Sequence, residues 1–407
     1  MNYADRAEHL HKENVPNLRF PKFSGEWGKT SIGECFSKVE NGLTYDTNNT
    51  SGVPVTRIET ISDKSINYDR VGYANIDDKI SKYEMQYGDV LFSHINSLKH
   101  IGKTAFYDAA QPLYHGMNLL LLRAKKSQDS KFLYYTLNTH RFLHRCQVLA
   151  NQAVNQASIN TKELKGIKIS VPQMQEQQKI AGLISLLDDR IATQIKIIEK
   201  LESLIRGIVE THYSQSECVN QVRISELGEP FSTMNMSKED LSEEGNECIL
   251  YGELFTTYGC VIKEVKSRTH ISTDKATTSQ SNDLLFPAST TVDAMSLIAP
   301  SAICKEGVIL GGDLFGVHVN KNYNNGYLSY LINYIYKSKL ARYAQGSTII
   351  HLHYSDIKNA TLLLPTIEEQ NYLAHIMRGV EEKINIEKDM LSKLYNQKAY
   401  LLSNLFI

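Results

Sequence analysis

The chain is one pattern written twice. Residues 171–191, VPQMQEQQKIAGLISLLDDRI, return as LPTIEEQNYLAHIMRGVEEKI at 364–384, without a gap and at an offset of 193 (365 − 172). Pro172 aligns with Pro365, Glu176 with Glu369, Gln177 with Gln370, Ala181 with Ala374 and Ile191 with Ile384. The register runs on to Leu201 and Leu394, and back through Lys165 and Lys358 to Gln152 and Gln345. Further upstream it drifts by a few residues: GDVLF (88–92) answers NDLLF (282–286), and FLYYTLN (132–138) answers YLSYLIN (327–333). A period this long means duplicated domains, not a solenoid of short repeats. At 407 residues the chain is also too long for a single ordinary core.

Each copy has the same order of parts. A long region of short apolar runs and turns comes first, then a helical pattern, a short strand ending in proline, and a long helix. ILYGELFTTYG and GVILGGDLFGVHV are rich in β-branched and aromatic residues punctuated by glycine, which predicts strands and turns. SKFLYYTLNTHRFLHRCQV and GYLSYLINYIYKSKLARYA carry apolar residues at three and four spacing, which predicts amphipathic helices. KGIKISVP and NATLLLP predict short strands, with Pro172 and Pro365 in the first turn of the helix that follows, where a missing N–H is tolerated.

In the first long helix Ile184, Leu187, Ile191, Gln194, Ile198, Leu201, Ile205 and Ile208 alternate steps of three and four, the 3.5-residue period of a coiled-coil seam. Shifted by 193, the second seam is Met377, Val380, Ile384, Glu387, Leu391, Leu394, Lys398 and Leu401. The polar interruptions Gln194 and Glu387 fall at the same place, where a polar residue can fix register at some cost in stability. Two copies in one chain favour pairing with each other over packing of each helix on its own domain alone.

Composition is that of a globular protein, with 42% hydrophobic and 22% charged residues, and no window reaches the 18 apolar residues of a membrane span. The first residues, MNYADRAEHLHKENVPNL, are too polar for a secretory signal. Six scattered cysteines without a CxxC pair predict reduced thiols and a cytoplasmic protein. Formal net charge is −1. Residues 1–170 carry 22 Lys+Arg against 17 Asp+Glu, and residues 218–362 carry 12 against 15. Neither region is basic enough to announce nucleic acid by charge alone, so partners of any DNA-binding assembly would supply much of the phosphate neutralisation.

Motifs for covalent chemistry are absent. IGKT (101–104) ends like a phosphate-binding loop, but Ser97 stands where that loop needs glycine. No G-x-G-x-x-G follows a strand, no nucleophile elbow occurs, and no Asp-Pro-Pro-Tyr or Asn-Pro-Pro-Tyr loop marks an amino-methyltransferase. His351 and His353 lack the further ligands of a metal site. The expectation is a chain that is not an enzyme by itself and binds neither metal nor cofactor.

This arrangement resembles the specificity (S) subunit of type I restriction–modification systems. The resemblance rests on Pro-x-x-x-Glu-Gln before a hydrophobic helix, found twice (Pro172, Glu176, Gln177; Pro365, Glu369, Gln370) after variable regions of some 150 residues. The opener VPNLRFPKFSGEW (15–27), GDVLFSHINSLKHIGKTAFY (88–107), YGELFTTYG (251–259) and GGDL (311–314) support it. It implies an α+β protein: two tandem mixed α/β target recognition domains separated by two long helices that pair as an antiparallel coiled coil with pseudo-two-fold symmetry. The corresponding division is an N-terminal segment 1–17, recognition domain 18–172, central helix 173–215, second recognition domain 216–364 and C-terminal helix 365–407. It also implies double-stranded DNA as partner, one half of a split target per domain, together with two methyltransferase subunits and restriction–translocase subunits. S-adenosylmethionine, ATP and Mg would be bound by those partners. A helix of about 40 residues spans roughly 60 Å at about 1.5 Å per residue, enough to make its length a ruler for the gap between half-sites. Inserting four residues near Ser203 would then add roughly 6 Å and lengthen the preferred gap.

Direct readout uses Arg on guanine and Asn or Gln on adenine, with Ser, Thr and Lys on either base edges or phosphate. In the first domain the candidates are Ser93, His94, Asn96, Ser97, Lys99, His100 and Lys103, then Arg57, and then Gln152, Asn155, Gln156 and Ser158. In the second they are Ser289, Thr290 and Thr291, then Gln345, Ser347, Thr348, His351 and His353, with Lys266, Ser267 and Arg268 as a phosphate contact. Two rival readings remain open from the residues alone: a non-enzymatic coiled-coil scaffold carrying two protein- or carbohydrate-binding modules, and a fused methyltransferase or nuclease.

Overall fold

The structure, a computed structural model, describes residues 14–61, 65–76, 80–153, 156–215 and 220–407. It divides into two compact units: unit 1 is built from residues 1–193 and 391–407, unit 2 from residues 194–390.

In unit 1, β1 (Gly28–Ser31) leads into β2 (Phe36–Asn41), followed by β3 (Val90–Phe92), β4 (Ile95–Asn96), β5 (Thr104–Phe106), β6 (Leu120–Ala124) and helix α1 (Ser130–Leu137). Then come β7 (Asn151–Ala153), β8 (Gln156–Ser158), β9 (Lys168–Val171) and the long helix α2 (Met174–Gln215). The central sheet has the order β2-β6-β3-β5 and is antiparallel throughout. Val90, Leu91 and Phe92 are fully buried, as a strand covered on both faces requires. Leu91, Ala105, Leu113, Leu119 and Leu121 form the core on one side of it.

Unit 2 repeats the plan. Its strands include β10 (Asn220–Arg223), β11 (Gly228–Ser232), β12 (Val261–Ile262), β13 (Asp283–Pro287), β14 (Ser289–Thr290), β15 (Ser301–Ile303) and β16 (Leu314–Val319), and a separate four-stranded sheet lies beside them. Helix α3 (Asn325–Leu331), β17 (Ile350–His351), β18 (Thr361–Leu364) and the long helix α4 (Ile367–Asn404) follow. The sheet order β11-β16-β13-β15 matches that of unit 1 position for position, with β12 added in parallel at the edge. In both units a two-stranded antiparallel clasp, β1 with β9 and β10 with β18, ties the start of the domain to the segment that enters the long helix.

The aspartates of the GDVLF and NDLLF segments explain why those letters recur. Asp89 accepts from Gln86 N at 2.7 Å and pairs with Arg123 at 2.6 Å; Asp283 accepts from Gln280 N at 2.8 Å and lies 2.6 Å from His318 Nδ1. Each is buried, closing the turn before the central strand while bonding to the neighbouring strand.

Three local expectations are corrected. SKFLYYTLNTHRFLHRCQV forms two helices, because Thr139 accepts from Phe142 N with its side chain and starts a second helix at His140–Leu149. ILYGELFTTYG is a strand only over Asn246–Leu250; Glu253–Thr256 is a short helix in which the Glu253 carboxylate accepts from Leu250 N. Pro172 and Pro365 stand two residues before their helices, and their carbonyls accept from the amides of Gln177 (2.8 Å) and Gln370 (2.9 Å).

Those glutamines fasten each domain to its long helix. Gln177 Oε1 accepts from Asp129 N at 2.9 Å, just before α1, and Gln370 Oε1 accepts from Asn324 N at 3.0 Å, just before α3. Eleven residues on (188 − 177; 381 − 370), about three helical turns, a second fastening repeats. The Tyr135 hydroxyl donates to Asp188 at 2.9 Å and the Tyr330 hydroxyl to Glu381 at 2.5 Å. Asp188 also pairs with Lys398 at 2.5 Å, whereas Glu381 accepts from Cys260 N at 2.8 Å.

The aligned Glu176 and Glu369 part company. Glu176 is fully buried and takes two 2.8 Å bonds from Arg19, with Trp27 Nε1 3.4 Å away. Glu369 is exposed and only caps its own helix, where it accepts from Thr366 N at 3.3 Å. The opener that carries Arg19 and Trp27 precedes the first repeat alone. It continues to the far end of α4, where Leu18 N donates to Asn404 O at 2.9 Å and Phe406 stacks on Phe132 at 5.2 Å.

The long helices run antiparallel: within unit 1 Asp188 meets Lys398, and within unit 2 Glu202 meets Lys388. Of the seam positions, Ile184, Leu187, Ile191, Gln194, Ile198, Ile205, Met377, Ile384, Leu394 and Leu401 are buried. Leu201, Ile208, Val380, Glu387, Leu391 and Lys398 are half-buried. At the end of α2 the buried position is Val209, four residues after Ile205, with Ile208 turned partly to solvent. Gln194 and Glu387 meet: the glutamine amide donates to the Glu387 backbone carbonyl at 3.1 Å and to its carboxylate.

Candidate nucleic-acid interface

Two segments that lie far apart in sequence are joined in each unit. In unit 1, β4 pairs antiparallel with β8 (Asn96 with Ala157, Ile95 with Ser158), and β8 pairs in turn with β7 (Ala157 with Gln152, Ser158 with Asn151). The loop after β3 and the NQAVNQAS run therefore make one three-stranded piece. Its neck is closed by Ser93 N to Lys103 O at 2.8 Å and Gly102 N to Ser93 O at 3.0 Å. Gly102 has φ +83°, a left-handed turn that favours glycine.

On this piece Ser97 and Lys99 are exposed, and Asn96, His100, Lys103 and Ser158 are half-buried. Polar side chains brace one another: Asn96 donates to Ser93 Oγ at 3.2 Å and its own oxygen accepts from Ser97 N at 2.8 Å, while Ser97 Oγ lies 3.1 Å from His100 Nδ1. Ser93 and His94 are buried, so as placed they shape the loop instead of offering an edge to a base. His94 Nε2 lies 3.3 Å from Asn41 Nδ2, and burial holds the imidazole below its usual pKa. Arg57 is apart from this piece, half-exposed and 3.7 Å from Glu59. Gln152 and Gln156 lie on the paired strands; their side chains and the whole of Asn155 are outside the described residues.

Unit 2 builds the same thing from equivalent positions. β14 pairs antiparallel with β17 (Ser289 with His351, Thr290 with Ile350), and Leu352 N donates to Ala288 O at 2.9 Å. Gln345 and His351 exchange backbone bonds of 2.9 and 2.7 Å, closing residues 346–350 into a finger. Ser289 and Thr290 are buried at its root, His351 is half-buried, and Thr291, Gln345, Ser347, Thr348 and His353 are exposed. The rings of His351 and His353 lie parallel at 6.2 Å. Lys266, Ser267 and Arg268 are not brought to the finger. They lie at the strand Ser267–Thr269 of a separate sheet, where Ser267 donates to Glu253 at 2.7 Å and Arg268 to Gly245 O at 2.9 Å.

Beside the candidates stand Asn41, Asp313, Val292 and Ile349, which sequence reasoning did not single out. Asp313 O accepts from Ala288 N at 2.8 Å at the root of the finger and, with Thr233, His353, Tyr354 and Ser355, lines a cleft of about 430 Å³ beside it. GGDL was visible as a motif, but only the strand pairing shows what it adjoins. Among the described residues no group of three His, Cys, Asp or Glu side chains could hold a metal, and no helix is long and apolar enough to cross a membrane. On α2 a groove of about 560 Å³ is lined by Phe20, Lys131, Lys179, Gly182, Leu183 and Leu186.

Paired long helices carrying two copies of one mixed domain, each with a strand-paired loop, define an architectural class. The family model described as "Type I restriction modification DNA specificity domain" matches residues 24–203 and again 217–396. The chain belongs to that family. Its members that serve as specificity subunits of type I restriction systems recognise DNA and are not themselves catalytic. A Methanocaldococcus jannaschii chain described as a type I restriction enzyme MjaX specificity subunit is 28% identical over 417 residues, covering 96% of this chain and 95% of that one. The crystal structure of the S subunit from M. genitalium superposes with a TM-score of 0.63 at 16% identity, covering 97% of this chain and 99% of that chain. A second structure, reported for complex assembly and conformational transition of the type I R-M system, gives 0.52 at 14% identity, with 94% and 97% coverage.

Proposed function

We propose that this specificity subunit reads a split DNA target, one half-site per unit, through the strand-paired loop and finger that each unit presents. The reading is carried by one observation: β4 with β8 and β14 with β17 join the same two segments at equivalent positions of the repeat. Such a shape can enter a groove and offer several polar edges at once. The domains are assigned to residues 18–172 and 216–364 and the helices to 173–215 and 365–407. The exposed apolar positions Leu183 and Leu186 of α2, and Tyr372 and Ile386 of α4, serve as docking surface for two methyltransferase subunits, with restriction–translocase subunits completing the assembly. S-adenosylmethionine, ATP and Mg reside on those partners, and the complex works in the cytoplasm.

The test is base-resolution mapping of DNA methylation in a host with and without this gene, then with the finger 345–351 replaced by the finger of a related chain. Expected is a two-part site that vanishes with the gene, and of which only one half changes with the finger. A site that survives deletion, or both halves changing together, would overturn the reading. Methyl transfer by the purified chain alone would overturn the assignment of catalysis to partners.

A further inference from the structure

The two readers are built alike but differ in chemistry. In unit 1 the loop between β3 and β5 carries Lys99, His100 and Lys103. In unit 2 the segments 288–292 and 345–351 hold no Lys, Arg, Asp or Glu, and their one imidazole, His351, is half-buried at the root of the finger. Beside uncharged polar side chains, they expose apolar ones. Ile349, at the tip of the finger, leaves half of its surface (50%) in solvent, and Val292, just past β14, leaves 71%. Because Thr290 pairs with Ile350, the backbone brings these two tips to the same end of the β14–β17 ladder.

Both turns are held in shape. Gly346 has φ +121°, and a Cβ there would meet Ile349 O at 2.0 Å; Val292 N donates to Thr290 Oγ1 at 3.2 Å. A single exposed apolar residue needs no explanation. Two of them, on adjoining turns of a DNA specificity domain and ringed by Thr291, Ser347 and Thr348, fit one feature of duplex DNA. In the major groove only thymine presents a methyl group, at C5, beside hydrogen-bonding edges that hydroxyls can read. Phosphate would call for cations, which these segments lack.

We propose that unit 2 recognises thymine methyl groups with Ile349 and Val292, so that its half-site contains at least one T·A pair read by apolar contact. The inference rests on the reading above, that unit 2 reads one half-site. The test uses the full chain assembled with its methyltransferase partner and duplexes carrying the mapped site, each thymine of the second half-site being replaced in turn by deoxyuridine. Removing a buried methyl is expected to weaken binding about 3- to 5-fold at one or two positions. The double variant Ile349→Ala, Val292→Ala binds thymine and deoxyuridine duplexes equally, with first-half-site preferences and thermal unfolding unchanged. Ile349→Leu, which keeps an apolar tip, retains the discrimination.

A second half-site without a T·A pair overturns the proposal. So does binding indifferent to every deoxyuridine although scrambled half-sites are rejected, or a double variant that still discriminates. If scrambling the second half-site leaves binding intact, the underlying reading of unit 2 fails, and this inference with it.

Discussion

Glu381 performs two tasks that substitution can separate. It accepts the hydroxyl of the fully buried Tyr330 and the backbone N–H of Cys260, and it does so as a half-buried carboxyl. Burial pushes its pKa above the usual carboxylate range, against the opposing pull of those two bonds and of Lys263 and Lys388. A carboxyl whose pKa is higher in the fold than in the unfolded chain favours the protonated native state. Its stabilising contribution is complete below the unfolded pKa, near 4.3, and is lost as pH rises through the folded pKa. Glu381→Gln keeps an oxygen for Cys260 N and turns an N–H toward the Tyr330 hydroxyl oxygen, with no charge to desolvate. It should match the wild type near pH 4, equal or exceed it at pH 8, and flatten the pH dependence between them. Glu381→Leu leaves the buried Tyr330 hydroxyl and the half-buried Cys260 N–H without their acceptor at about 1–3 kcal/mol each, roughly 2–6 kcal/mol together, or on the order of 5–20 °C in Tm for a unit of this size. Calorimetry at both pH values, with hydrogen exchange over 325–336 to identify the affected unit, reads the difference. Equal losses for Gln and Leu at pH 8 would mean that the charge itself is needed, and a harmless Leu would mean that the bonds do not matter; either result refutes the argument.

Arg19→Ala strands the Glu176 carboxylate without its cation and should cost about 3–5 kcal/mol in unit 1, read as a drop in its unfolding transition while unit 2 holds. Gly346→Ala forces a Cβ into the Ile349 carbonyl, so methylation mapping should show loss of one half-site preference in a chain whose unfolding changes little. Lys99→Ala should weaken binding to all sequences alike and lower the slope of log affinity against log salt by about 0.9, measured by titration over a range of salt.

The duplication and the helical seam were legible because they are periodic: a gapless offset and a 3.5-residue repeat survive in one dimension. Pairwise roles were not. Gln177 and Gln370 could be aligned by eye, but the N–H groups they accept from, those of Asp129 and Asn324, lie 48 and 46 residues away along the chain. Glu176 and Glu369 look equivalent and are not, since only one meets an arginine from the opener. Among the candidate readers, a polar letter after a buried strand did not reveal depth. Ser289 and Thr290 lie inside a strand pairing of only two residues on each side, and Ser93 and His94 just ahead of another; neither ladder is long enough to leave an alternation. Ile349 and Val292 were passed over for the opposite reason: apolar residues read as core until a turn is seen to hold them outside.

The way the two units share the chain sets an order of assembly at the ribosome. Unit 2 is a single uninterrupted stretch, 194–390, carrying its own portions of both long helices, whereas unit 1 needs residues 391–407, made after all of unit 2. The backbone bond from Leu18 to Asn404 and the stacking of Phe406 on Phe132 cannot form until then. At about 5–20 residues per second the first-made domain waits on the order of ten seconds or more for its closing segment, while the later-made one can fold as soon as it clears the tunnel. Damage to residues 391–407, seventeen in all (407 − 390), therefore falls on unit 1, the unit encoded first.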